Sequence, residues 1–147
     1  GGINRGITLD LCLDMKLLSF AIPCYNSADY MEKCIKSVLI GGEDVEVIIV
    51  DDGSTKDDTA EIADRYAKMY PTIVKAVHQE NGGHGQAVNT GLAHATGKFF
   101  KVVDSDDWVD ARSYKKILTT LKNFVEGEEP DMVIANYVYD KVGAKRK

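Results

Sequence analysis

Short apolar runs alternate with amphipathic, helix-period segments along most of this chain, and that alternation leaves few folds open. Residues 17–22, 45–50, 73–77 and 99–103 have strand length and are rich in β-branched and aromatic side chains. Between them, Met31, Cys34, Ile35, Val38 and Leu39 recur at helical spacing, as do Ile62, Tyr66 and Met69. Ala87, Val88, Gly91 and Leu92 form a third such stripe within residues 84–95, and Tyr114, Ile117, Leu118, Leu121 and Phe124 a fourth. Residues 132–135 read as a fifth strand. The second run is almost wholly apolar, as a strand covered on both faces must be. Repeated strand–helix units of this length predict an α/β fold, a three-layer α/β/α sandwich with a mainly parallel sheet.

The punctuation agrees with that reading. Pro23 is expected to end the first strand, and Ser27 to cap the helix that follows. Gly41-Gly42 stops that helix, Asp58 and Glu61 have capping-box spacing, and a further helix starts near Asp110.

At 147 residues the chain is long enough for one sizeable core. A net charge of −5 argues against a nucleic-acid partner, which would need a basic stripe. The basic residues from Lys141 to Lys147 read as a solvated tail. Three cysteines without a Cys-x-x-Cys pair fit reduced thiols and a cytoplasmic location. No apolar run reaches the roughly 18–20 residues of a membrane span. Residues 1–15 read as an N-terminal extension or expression remnant, with Met15 a candidate natural start, and residues 16–147 as the domain.

Polar residues fall repeatedly where the predicted strands end, which is where ligands bind in such sheets. The first run ends at Pro23 to Asn26, the second at Asp51 to Ser54, the third at His78 to Asn81 and the fourth at Asp104 to Asp107. Five carboxylates, Asp51, Asp52, Asp104, Asp106 and Asp107, therefore meet on one sheet edge. In extended backbone Asp104 and Asp106 would share a face while Ser105 points away. So close an acidic set repels itself unless a cation sits within it, and oxygen-only ligands suit Mg²⁺ or Mn²⁺ shared with a phosphate-bearing substrate. The plainer reading of the last run is a solvated turn capping the helix near Asp110.

These motifs, together with residues 19–26 (SFAIPCYN), 47–54 (VIIVDDGS), 80–83 (ENGG) and 97–108 (GKFFKVVDSDDW), resemble those of family 2 glycosyltransferases of the GT-A, Rossmann-like fold. The resemblance covers about residues 16–136 and keeps the family's motif order. It implies a metal-dependent transferase that moves a sugar, with inversion, from a nucleotide diphosphate sugar to an acceptor hydroxyl. The donor implied is a UDP-sugar, the acceptor a saccharide or lipid-linked saccharide, and the cofactor Mn²⁺ or Mg²⁺. By the same resemblance Pro23, Tyr25 and Asn26 lie beside the nucleotide, Asp52 reads the base edge with Asp51 nearby, and Asn81 and Gly83 are further nucleotide-binding residues. Asp104 lies near the ribose and metal-bound water, and Asp106 is the direct metal ligand. Asp107 is expected to support or cap.

Two departures limit the resemblance. The family often places Lys or Arg after Asn-x-Gly to hold the diphosphate; here His84 is the nearest substitute, helped by the amides of a glycine-rich helix start. The family's general base lies well downstream of the acidic motif, and Glu126, Glu128, Glu129 and Asp131 carry no motif around them. The expectation is therefore an incomplete nucleotide-sugar-binding domain, truncated at its C-terminus and inactive alone; the resemblance implies a whole enzyme that works at the inner membrane face on cell-surface polysaccharides. The competing reading is a non-catalytic nucleotide-sugar-binding module. A dinucleotide-dependent oxidoreductase is disfavoured because Gly83-His84-Gly85-Gln86-Ala87-Val88 lacks the third glycine of Gly-x-Gly-x-x-Gly.

Overall fold

A computed structural model describes residues 15–127; the fifth strand expected at 132–135 and the carboxylates Glu128, Glu129 and Asp131 lie outside the described residues. The elements run β1 (Leu18–Cys24), α1 (Met31–Leu39), a 3-10 turn (Gly42–Asp44), β2 (Val45–Asp52), α2 (Thr59–Met69), β3 (Val74–Gln79), α3 (His84–His94), β4 (Phe99–Val102) and α4 (Ala111–Gly127). All strand pairs are parallel, in the order β3-β2-β1-β4. β1 and β2 are buried along their whole length, which is why their sequences are almost continuously apolar.

The connections explain the layers. From β1 the chain steps outward to β2 and β3, then crosses back over β1 to β4. Right-handed crossovers place helices on one face for the outward steps and on the other for the return. Accordingly α1, α2 and α4 cover Phe20, Ile22, Val47 and Ile49 with Met31, Ile35, Ile62, Tyr66, Tyr114 and Ile117. Helix α3 covers the opposite face, where Ala87 packs on Ile48 and Val50. The direction reverses between β1 and β4, so their carboxyl ends form the crevice in which such sheets bind ligands. No helix among the described residues is long and apolar enough to cross a membrane.

Helix α3 lies unusually close to the sheet because Gly91 has no side chain: a Cβ there would stand 2.5 Å from the Cβ of Ala21. Gly91→Val is therefore expected to force α3 off β1 and lower stability by about 2–3 kcal/mol, the cost of an overpacked core, read as a lower urea midpoint.

Several local expectations are corrected. Pro23 does not break β1, which runs on to Cys24 with Pro23 opposite Val50. The carbonyl of Ala21 accepts from Val103 on the β4 side, and Pro23, two residues on, faces the same way past the end of β4. Its missing N–H thus ends the β1–β4 ladder after the Val103 amide, while the pairing of β1 with β2 on its other side runs on to Cys24. Ser27 does not cap α1 with its hydroxyl, which is paired with the backbone of Tyr25; α1 begins later, at Met31. Asp58 makes no capping bond either, and Asp57 accepts from the amide and hydroxyl of Thr59 instead. Met69 and Leu92 are exposed, because Ala63 and Gly91 are the residues that face the sheet.

Candidate functional site

Four strand-end loops enclose a cavity of about 410 Å³ at the β1/β4 crevice. Pro23, Tyr25, Asp52, Asn81, Gly83, His84, Asp104 and Asp106 all line it, joined by Cys24, Ser27, Tyr30, Ala87 and Ser105. Asn26 and Asp51 stand behind the wall.

The first loop follows β1. Asn26 adopts a left-handed conformation, φ 47°, which asparagine tolerates better than most side chains. Its amide donates to Ser54 Oγ (3.0 Å) and its Oδ1 accepts from the Lys56 amide (3.2 Å), so Asn26 ties the first loop to the second. Tyr25 and Tyr30 keep 49% and 44% of their surface exposed although both line the cavity, which leaves two aromatic faces for a ligand.

The second and third loops are joined through Asp52. Its Oδ1 accepts from Gln79 Nε2 (2.9 Å) and the Gly82 amide (2.8 Å), and its Oδ2 from Asn81 Nδ2 (3.2 Å) and the Gly83 amide (2.9 Å). Burial would raise the pKa of this carboxyl, but the donors from Gln79, Gly82 and Gly83 outweigh burial and hold it below the usual range. Asp52 therefore caps the approach to α3, and the amides of Gly82 and Gly83, expected to face an anion, are taken up by this carboxylate. Gly53 (φ 73°) lets the second loop pass against the third, since a Cβ there would lie 2.6 Å from the Asn81 nitrogen. Asp51 turns away from the cavity: its Oδ1 accepts from the Ser54 amide (3.0 Å) and its Oδ2 meets His78 Nδ1 (2.8 Å).

The acidic loop is a turn, not the strand extension expected. β4 ends at Val102, and the Asp107 amide donates to the Asp104 carbonyl (2.9 Å). Asp106 is exposed, Asp104 half-buried and Ser105 buried, its hydroxyl donating to Ser27 Oγ (3.0 Å). The turn buries Ser105 between two more open carboxylates, yet all three residues line the cavity. Helix α1 anchors this loop: Cys34 Sγ reaches the Asp104 carbonyl (3.4 Å), Ser37 Oγ accepts from the Val109 amide (3.1 Å), and Lys33 lies 3.7 Å over the Trp108 ring. Asp107 is buried and accepts from the Trp108 amide. Asp110 caps α4 by accepting from the Ser113 amide (3.0 Å), so capping is done outside the Asp104–Asp107 run.

His84 opens α3 at the cavity mouth, its Nε2 3.0 Å from Asp104 Oδ1. Among the described residues no group of three His, Cys, Asp or Glu side chains is arranged to hold a metal ion by itself. Two carboxylates at a cavity edge fit a hard divalent ion that completes its shell with waters and a substrate's phosphates, rather than an all-protein cage. Thiol chemistry does not fit. Burial, aided by Asp51, pushes Cys24 up to about 12, and burial likewise raises Cys34, so both stay protonated at neutral pH.

Of the residues that sequence reasoning missed, Tyr30 looked like one more helix position, and Ser27 like a cap. Cys24 and Ala87 carry no polar signal at all. Ser105 was expected to point away from the two aspartates, yet it lines the same cavity.

The parallel α/β sheet with an acidic cavity at its switch point matches the architecture of GT-A glycosyltransferases. The family model for Glycosyl transferase family 2 matches residues 19–147, and the chain belongs to that family. It is 39% identical over 129 residues to the glycosyltransferase GlyG of Streptococcus pneumoniae, covering 86% of this chain and 41% of that protein. Among solved structures, Staphylococcus aureus TarS 1–349 in complex with UDP-GlcNAc superposes with a TM-score of 0.64 at 29% identity, over 74% of this chain and 32% of that one. The mannosyltransferase PcManGT of Pyrobaculum calidifontis, in complex with GDP-Man and Mn²⁺, gives 0.62 at 26% identity, over 71% and 32%. This chain thus spans less than half the length of the relatives it matches.

Proposed function

We propose that this chain binds a nucleotide diphosphate sugar, by preference a UDP-sugar, as the donor-binding part of a metal-dependent, inverting glycosyltransferase. The observation that carries this reading is the single cavity wall formed by Asp52, Asn81 and Gly83 on one side and Asp104 and Asp106 on the other. TarS with UDP-GlcNAc and PcManGT with GDP-Man and Mn²⁺ support it by fold and family.

In this reading Pro23 and Tyr25 border base and ribose, with Asn26 and Asp51 holding that turn from behind. Asp52 orders the wall that faces the base edge. Asp104 borders the ribose, and Asp106, the exposed carboxylate, is the group that would hold the divalent ion. That ion, when bound, would offset the negative charge that the departing diphosphate gains. His84 offers a ring N–H toward the same phosphates. Every carboxylate of the cavity is thereby assigned to the donor, and Glu126 lies on α4 outside the cavity wall, so we assign no general base here. The acceptor, a saccharide or lipid-linked saccharide, and work at the cytoplasmic membrane face belong to the whole enzyme.

Calorimetry with UDP, GDP and dTDP, each with and without Mn²⁺, tests the assignment. UDP is expected to bind more tightly with Mn²⁺, and Asp106→Ala to remove at least about tenfold of that gain, as loss of one charge-assisted contact would. Absence of binding by all three nucleotides, or an unchanged metal effect in Asp106→Ala, would overturn it. The chain alone is expected to bind donor without transferring sugar to an acceptor.

A further inference from the structure

His78 lies behind the cavity, on β3, in register with Asp51 of β2. Both ring nitrogens face carboxylates: Nδ1 stands 2.8 Å from Asp51 Oδ2 and Nε2 2.7 Å from Asp64 Oδ1, on α2. An ionised carboxylate only accepts, so both ring positions must donate, and only the imidazolium has two N–H groups. A neutral ring would turn a lone pair toward one of the two anions.

What this ring holds is the second cavity loop. Asp51, 5% exposed at its side chain, uses its other oxygen to accept from the Ser54 amide, and Ser54 Oγ accepts from the Asn26 amide. The next residue, Asp52, orders Gly82 and Gly83, and Asn81 Nδ2 donates to the Asp52 carbonyl (3.0 Å). We propose that His78 is a positioning residue for the donor site: as an imidazolium clamped between Asp51 and Asp64, it fixes the 51–54 turn and, through it, the geometry of Asp52, Asn26 and Asn81.

This inference rests on the donor-binding reading above. The charged groups facing the ring are Asp51 from β2 and Asp64 from α2; Arg65, the next residue on α2, is engaged by Glu32. Helix α3 covers the other face of the sheet, against Val77 rather than His78. The two carboxylates, Asp51 foremost, hold the ring's pKa above the ordinary histidine value. The clamp is therefore held below that raised value and loosens as pH rises through it.

The test combines ring NMR with binding on the 147-residue chain. Long-range ¹H–¹⁵N spectra are expected to show both His78 nitrogens protonated at pH 7, and the amides of Ser54 and Asn81 to follow the ring's titration. The UDP dissociation constant, measured with Mg²⁺ and divided by that of His78→Gln to cancel the titration of UDP itself, is expected to rise about five- to tenfold across the ring's deprotonation, the scale of one lost charged contact. Asp64→Asn, at a carboxylate 64% exposed, is expected to fold normally and to move the inflection to lower pH. A neutral ring at pH 7, loop amides that ignore the ring's titration, or a flat ratio of dissociation constants would overturn the proposal. If UDP bound at no pH, the donor-site reading would fall, while the loop-amide titration would still decide whether His78 positions the turn.

Discussion

Glu46→Ala is expected to lower the stability of the domain by about 3–5 kcal/mol, the range for removing one partner of a buried charge network. Native domains have only about 5–15 kcal/mol in reserve, so the variant should be largely unfolded well below the wild-type urea midpoint. Glu46 is 2% exposed within the apolar part of β2. Its Oε2 accepts from Ser19 Oγ (2.5 Å) and the Thr96 amide (2.6 Å), its Oε1 from Thr96 Oγ1 (2.9 Å), and Lys75 Nζ lies 2.9 Å from Oε1. Ser19 in turn accepts from the Gly97 amide (2.8 Å). The network pins the link between α3 and β4 to the centre of the sheet. Its removal would strand the fully buried Ser19 hydroxyl and leave the Thr96 amide without its carboxylate. Glu46→Gln keeps the volume and part of the bonding, and is expected to cost about 1–2 kcal/mol.

The same carboxylate gives the domain a signed response to acid. Burial opposes its ionisation, yet the bonds from Ser19, Thr96 and Lys75 outweigh burial and bring its pKa down to about 2. An unfolded glutamate titrates near ~4.3, so between those values the unfolded chain binds more protons than the folded one. The stabilisation is therefore complete above the unfolded value and is lost as pH falls toward the folded one. Urea midpoints measured from pH 7 down to pH 3 should drop in the wild type, with a shallower drop in Glu46→Gln.

Glu46 also shows where sequence reading ran out. The apolar periodicity of residues 45–50 announced a strand covered on both faces, and its burial is as expected. Nothing local marked Glu46 as other than a surface break, because its partners lie 27 and 50 residues away, at Ser19 and Thr96. The site divides in the same manner. Strand ends and turn residues placed Asp52, Asn81, Asp104 and Asp106 on one edge, since a parallel sheet sends all carboxyl ends the same way. The α/β alternation fixed that direction without any knowledge of contacts. Which carboxylates face the cavity depended on pairings across loops: Asp51 turns back to His78, and Asp107 folds under Trp108. In sequence His78 was one polar residue at the third strand's end; only its two flanking aspartates, 27 and 14 residues away, show what it holds. Capping was misplaced by one residue: Asp58 has the Glu61 spacing, but Asp57 takes the Thr59 donors and, across the loops, the Ala28 amide (3.1 Å), which no local pattern shows.

Asp52→Asn should be nearly as damaging as Asp52→Ala, although asparagine has the same shape. Four donors point at this carboxylate, two at each oxygen, and ionised aspartate offers about four acceptor sites to match them. Asparagine must turn its NH₂ toward one of those pairs. On one side it would meet the Gly82 amide and Gln79, whose Oε1 accepts from Thr90 Oγ1 (2.6 Å); on the other it would meet the Gly83 amide and Asn81. The backbone amides cannot reverse, so one donor pair faces another donor in either orientation. The expected loss is about 2–3 kcal/mol, the penalty for leaving charge-assisted donors unpaired. The effect should fall on the donor site before it falls on the core, because Asp52 joins the 51–54 turn to the start of α3 and no core side chain depends on it. A melting curve should therefore show a moderate shift, while UDP binding weakens by at least about tenfold, in proportion to the lost contacts. Binding within twofold of wild type in a folded Asp52→Asn would show that this carboxylate does not order the nucleotide wall.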